Sequence, residues 1–426
     1  MLRRGARGGG DGSLALGRAL VLLLLAAFAS LPLVAWWSAP ASPLAGGGRD
    51  DSAAAALHLT ASAASMRGTV GGGAGGGAAA SLSPEAAAAA YAAAAQAYEA
   101  SLPAIQLVYV VCGNPNEVEE DLFGLLSLKS LLMFKAQQAL GGARRRYEVL
   151  LLTNIGAEEL FNTTRLNHEV FRALRRDARV RVTLRDVSEL DVSAARHGVA
   201  DPKRVPHNIF KNCASSRLKL PFLLADLGIA RAIYLDWDTI VLCDLSLLWA
   251  EFDRFAAAGA AVGFAQSDPT GVSGLDHYRD WDLPRHPTAG SVNSGVMLVD
   301  VAALMRVKAD YWAAVEAIIW SRVDLAKVKP DDGNALYWAF TKAFPLGDQD
   351  VINGVFEARP RWLHVLRPEF NSCYEGDMEV GVVPCVLHFC GGRLQPERTG
   401  APKLKCDELY KAAADHVRGW KLGWTS

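Results

Sequence analysis

Residues 231–241, Arg-Ala-Ile-Tyr-Leu-Asp-Trp-Asp-Thr-Ile-Val, carry an apolar strand into two carboxylates, Asp236 and Asp238, and a second apolar run follows directly. Aspartates one residue apart at a strand exit can hold a hard divalent cation through oxygen ligands, and such a cation commonly carries the phosphates of a nucleotide. Alone the pattern says little, since an Asp-x-Asp arises about once by chance in a chain of this size at ordinary composition. Its setting gives it meaning.

Before it, short apolar runs alternate with amphipathic segments. Ile105 to Cys112, Tyr147 to Thr153, Val180 to Leu184 and Ala232 to Leu235 read as strands. Glu117 to Lys135, Ala157 to Arg175 and Ala214 to Asp226 read as helices. This alternation predicts an α/β domain with a mostly parallel, Rossmann-like sheet, whose ligands sit at the carboxyl ends of the strands. The first strand ends in Cys112-Gly113-Asn114-Pro115, with neither a G-x-G-x-x-G nor a G-x-x-x-x-G-K-[ST], which disfavours a dinucleotide fingerprint and a P-loop. The backbone from Val111 to Asn114 could hold a base or ribose, or simply turn the chain.

The chain has 426 residues, is 51% hydrophobic and carries a net charge of −1. No basic excess exists to neutralise a nucleic-acid backbone, so no nucleic-acid partner is expected. Arg3, Arg4, Arg7 and Arg18 precede an apolar run from Ala19 to Trp37, close to the length that crosses a bilayer. The positive flank predicts a cytosolic tail over 1–18, a signal-anchor helix over 19–37 and a lumenal remainder; a cleaved signal peptide is the rival reading. The low-complexity stem over 38–103 opens with an Ala, Gly and Ser tether, then a helix start at Ser83-Pro84-Glu85, leaving 104–426 as the folded domain. Seven cysteines form no C-x-x-C pair; Cys373 with Cys385 is the disulfide the spacing suggests in an oxidising lumen, and Asn162-Thr163-Thr164 is a glycosylation sequon there.

Four segments now read together: Asn212-Cys213-Ala214-Ser215-Ser216-Arg217-Leu218, Tyr234-Leu235-Asp236-Trp237-Asp238, Val292-Asn293-Ser294-Gly295-Val296-Met297 and Gly347-Asp348-Gln349-Asp350. In order and spacing they resemble the family-8 retaining glycosyltransferases. The Cys-Ala-Ser-x-Arg-Leu run ahead of the Asp-x-Asp is similar to that of the animal glucoside xylosyltransferases. The resemblance covers roughly residues 105–395 and implies a GT-A fold (nucleotide-diphospho-sugar transferase), a UDP-sugar donor, a divalent cation that is usually Mn2+, and an α-linked product. A Golgi (or ER) membrane location follows from combining it with the anchor.

Carried onto this chain, the resemblance makes Asp236, Asp238 and His388 the metal ligands, with Asp238 also touching the donor. Otherwise His388, ending an apolar run, reads as a core residue. Arg217 matches a basic residue that holds the donor, where a cation stabilises charge on the departing β-phosphate; on its own it reads as a surface charge on a helix. Asn293, Ser294 and Gly295 match positions lining the donor sugar, or form a turn. Val111, Cys112, Gly113, Asn114 and Trp237 complete the donor side. Asp348 and Gln349 match the stretch facing the reacting carbon, and since Gln349 is a poor nucleophile, front-face attack by the acceptor is expected.

The sequence departs from the family after His388. Many members read His-x-x-Gly-x-x-Lys-Pro, whereas this chain has Gly391 and then Leu394 at the lysine position, leaving Arg393 or Lys403 to meet the diphosphate. Two rivals remain. Asp236-Trp237-Asp238-Thr239 also fits the D-x-D-x-T start of haloacid-dehalogenase phosphatases, although that motif should end the first strand of its domain. A sugar-binding scaffold without turnover is the other, opposed by paired carboxylates that are costly to hold together unless a cation neutralises them.

Overall fold

The computed structural model describes residues 83, 90, 93, 103–112, 122–138, 145–156, 160, 165–177, 179–199, 213, 215–266, 291–323, 338–340, 342–344, 347–372, 384–388 and 406–419. The proposed anchor at 19–37 lies outside them, as do Gly113, Asn114, Asn162, Cys373, Gly391 and Arg393 and nearly all of the stem. No helix among the described residues is long and apolar enough to cross a membrane.

The element order is β1 (Ile105–Val111), α1 (Leu122–Gln138), β2 (Tyr147–Thr153), α2 (Arg165–Arg176), β3 (Val180–Asp186), α3 (Glu189–Arg196), α4 (Ser216–Asp226) and β4 (Arg231–Leu235). There follow β5 (Thr239–Val241), α5 (Leu245–Trp249), α6 (Phe252–Ala258), β6 (Val262–Gln266), β7 (Val292–Asp300), α7 (Val301–Arg306), α8 (Lys308–Arg322) and α9 (Asp348–Ala358). Strands β8 (Leu363–Leu366) and β9 (Val386–His388) and helix α10 (Cys406–Gly419) complete the strands and α-helices among the described residues. Seven strands form a mostly parallel sheet in the order β3-β2-β1-β4-β7-β6-β8, in which β7 runs antiparallel to both β4 and β6. β5 and β9 form a separate two-stranded antiparallel sheet.

Apolar runs are continuous in β1 and β2 because both faces of the sheet are covered. Val108, Val110, Leu150 and Leu152 join the core beneath α3, α4, α7, α8 and α9. Their neighbours Leu107, Tyr109, Val149 and Leu151 join the core beneath α1, α2, α5 and α6. A third, smaller cluster joins α1 and α10 to β5 and β9 through Leu126, Met133, Ile240, Leu387, Ala413 and Val417.

The strands read from sequence are present, β2 with the bounds expected and the other three within two residues at each end. Two expectations change. Asn293-Ser294-Gly295, which would turn readily in isolation, lies inside β7, because Leu235 pairs with Val296 and the Asp236 amide donates to the Gly295 carbonyl at 2.7 Å. Cys385 bonds Cys243 rather than Cys373, because the β5–β9 ladder pairs Val241 with Val386 and brings the two cysteines side by side. A second disulfide, Cys112–Cys213, ties the end of β1 to the segment before α4 and holds Cys213 at a φ of 56°.

Candidate metal and donor site

Strands β4 and β7, the small β5–β9 sheet, and helices α4 and α9 converge where β4 ends. β4 delivers Asp236, and β7, being antiparallel to it, starts its Asn293-Ser294-Gly295 segment alongside. The small sheet sets Thr239 opposite His388, so the histidine stands beside the Asp-x-Asp loop although 150 residues separate it from Asp238 in sequence. α4 contributes Arg217 from its first turn, and α9 contributes Asp348 and Gln349 after Gly347, whose φ of 70° strains any residue with a side chain.

Asp236, Asp238 and His388 offer ligand atoms that all lie within 4.8 Å of one another. His388 Nε2 is 3.3 Å from Asp238 Oδ1 and 3.6 Å from Asp236 Oδ2. Ligand bonds of about 2.0–2.6 Å accommodate such separations around one ion, and two carboxylates with one imidazole suit a divalent cation. The residues therefore fit the group that the sequence pattern implied.

Behind the carboxylates lies Arg217, buried rather than on the surface. Its Nε and Nη2 donate to the two oxygens of Asp348 at 2.6 and 2.7 Å, and Nη1 donates to both oxygens of Asp236 at 3.0 and 2.8 Å. Tyr234 Oη donates to Asp236 Oδ1 at 2.5 Å. Burial works against the guanidinium charge, but Asp236 and then Asp348 outweigh it and hold the group firmly cationic. Burial raises Asp348 to about 6 despite the pull of Arg217. In His388 burial is likewise overcome, by Asp238 and Asp236, so the imidazole takes a proton more readily than usual.

A buried amide cluster closes the other side. Asn293 Nδ2 and the Ser294 amide donate to Gln349 Oε1 at 3.0 and 3.2 Å, while Asn353 brackets Val292 by accepting from its amide and donating to its carbonyl. His388 Nδ1 faces Asn293 Oδ1 and Asn371 Oδ1, each at 3.1 Å. Gly295 leaves room for the imidazole: a Cβ there would fall 2.0 Å from His388 Cε1. Gly295, matched from sequence to the donor sugar, thus also seats the His388 ring. Val111 and Cys112 lie at the end of β1 beside β4, with Cys112 in its disulfide, and Trp237 is half-buried between the two aspartates.

No family model matches the chain. Glucoside xylosyltransferase 2 of Xenopus laevis is 30% identical over 220 residues, covering 49% of this chain and 47% of that protein. Glucoside xylosyltransferase 2 of Mus musculus is 27% identical over 219 residues, covering 49% and 44%. By sequence the chain is similar to part of the glucoside xylosyltransferases. The chain spans about half the length of these relatives. Among solved structures, mouse xyloside xylosyltransferase 1 in its apo form aligns over 69% of this chain and 100% of its own, with 19% identity and a TM-score of 0.42.

Of the residues singled out from sequence, Arg217, Asp236, Asp238, Asn293, Ser294, Gly295, Asp348, Gln349 and His388 meet in this one cluster. Sequence reasoning missed Tyr234, Asn353 and Asn371. The first sits two residues before Asp236 on the same strand and was visible as a polar group in an apolar run; Asn353 follows the Gly347–Asp350 motif by one helical turn, and Asn371 lies in a segment with no periodic or motif signal.

Proposed function

We propose that this chain is a divalent-cation-dependent, retaining glycosyltransferase with a GT-A catalytic domain. It moves xylose, or else glucose, from a UDP-sugar to a glycan acceptor on protein, lipid or polysaccharide, in an α linkage. The observation that carries this reading is the meeting of Asp236, Asp238 and His388 at the carboxyl end of β4. The names of its relatives favour xylose.

Asp236, Asp238 and His388 would hold Mn2+, which supplies positive charge against the diphosphate and its leaving oxygen. Arg217, its donors committed to Asp236 and Asp348, fixes the Asp236 carboxylate and sets a permanent charge behind it. Val111, Cys112, Gly113, Asn114 and Trp237 border the nucleotide, while Asn293, Ser294, Gly391 and Arg393 complete the donor site. Gln349 and Asp348 offset positive charge on the sugar ring, each held in place, Gln349 by Asn293 and the Ser294 amide and Asp348 by Arg217. The acceptor hydroxyl attacks from the leaving-group face and passes its proton to the departing phosphate, so no strong general base is required.

The disulfides suit an oxidising compartment, and with the apolar run at 19–37 they support a type II Golgi membrane protein facing the lumen. A phosphatase using Asp236 as nucleophile is disfavoured, since that motif should end the first strand of its domain, whereas Asp236 follows β4, after β1, β2 and β3. Calorimetric titration of the purified full chain tests the proposal. UDP should bind in the presence of Mn2+ and at least tenfold more weakly without it; equal binding in both would overturn the reading.

A further inference from the structure

The Gly295 amide is a donor whose identity is beyond question, and it points at Asn293 Oδ1 at 2.8 Å. That position must therefore be the oxygen of the amide. Asn371 approaches the same oxygen at 2.5 Å, so it must present its NH2 group there. The oxygen of Asn371 is then the atom turned to His388 Nδ1, which accordingly faces two acceptors with no proton of their own, each at 3.1 Å, against carboxylate oxygens at 3.3 and 3.6 Å from Nε2. Both asparagines and the histidine are buried, so water does not compete for these contacts.

We infer that Asn293 and Asn371 are positioning residues which lock neutral His388 in the tautomer with its proton on Nδ1, leaving the Nε2 lone pair turned toward Asp236 and Asp238. The inference rests on the metal-site reading above but concerns this chain's own side chains. A ligating histidine held through its other nitrogen has a fixed ring plane and a defined donor atom, and loss of such a partner typically weakens metal binding by about 10–100-fold. Gly295 belongs to the same device, since its missing side chain admits the ring while its amide orients Asn293. The chain of contacts continues from Asn293 Nδ2 to Gln349, so the residue nearest the proposed sugar site and the metal histidine share one orienting amide.

The test is nitrogen NMR on the metal-free full chain labelled at histidine, at alkaline pH where the imidazole is neutral, with the signals assigned by comparison with His388→Gln. The expected spectrum has a protonated Nδ1 and a bare Nε2; the opposite pattern overturns the proposal, whatever the protein's activity. In parallel, Asn371→Leu should weaken Mn2+ binding, followed by electron paramagnetic resonance, about tenfold or more. Unchanged affinity in Asn371→Leu would remove the positioning role. Should the leucine variant fail to fold, the spectrum of the parent still decides. Should the parent bind no Mn2+, the functional reading falls, and the tautomer stands or falls on its own spectrum.

Discussion

Two basic side chains approach Asp236, and they differ in kind. Arg217 comes from α4, is permanently charged, and is bonded to Asp348 as well as Asp236. His388 comes from β9, carries a charge that can be given up, and stands 3.3 Å from Asp238. One side is a fixed counter-charge built into the fold; the other can exchange a proton for a metal ion. The comparison teaches that nearness to the same carboxylate does not imply the same role, and mutations on the two sides should separate stability from metal binding.

Arg217→Leu is expected to be the most disruptive change, since it leaves Asp236 and the fully buried Asp348 without their partner. Removing one member of a buried pair costs about 3–5 kcal/mol. Chemical denaturation checks this, and a loss below 1 kcal/mol would place Arg217 on the functional side of the comparison. Next comes the double change Cys243→Ala with Cys385→Ala, which frees the β5–β9 ladder beside His388; loss of such a cross-link costs about 2–4 kcal/mol. Its thermal midpoint should fall while Arg217 stays buried.

Gly295→Ala drives a Cβ into the His388 ring, and overpacking of this sort costs about 1–3 kcal/mol. Here Mn2+ affinity should fall together with stability, so this variant probes the junction of the two sides. Asp238→Asn should have the smallest effect on stability and the greatest on the metal, with Mn2+ affinity reduced by roughly 100-fold or more on the scale of lost metal-site interactions. A stable variant that still binds Mn2+ as the parent does would break the assignment.

The pH dependence sharpens the contrast further. The folded state raises the histidine's affinity for a proton above its usual value near 6.5, so in metal-free protein this stabilising contribution is complete below that value. It is lost as the pH rises through the higher folded value. Mn2+ must displace the same proton, so its affinity should rise over the window in which metal-free stability falls. Parallel slopes in the two measurements would contradict the exchange.

Much of this was legible in the chain. The β1 and β2 runs, buried on both faces, announced a parallel sheet, and the Asp-x-Asp at a strand exit marked its working end. His388 could be matched by motif, but its place beside Asp238 depends on a ladder between strands of three residues each, too short to leave a periodic signal. The same ladder decided the partner of Cys385, and spacing in a loop-like stretch pointed to the wrong cysteine. Arg217 was read as a donor-holding group or a surface charge because a lone arginine in an apolar helix does not reveal that two acids from β4 and α9 will fold onto it. Asn371 was invisible for the related reason that its meaning lies wholly in a contact with His388 and Asn293.

The most direct test of the central claim is UDP release by the purified full chain from a panel of nucleotide sugars, with and without Mn2+, alongside Asp238→Asn. The account predicts Mn2+-dependent release from UDP-xylose, or else from UDP-glucose, that disappears in the variant. Release that ignores Mn2+, or that persists in Asp238→Asn, would contradict it.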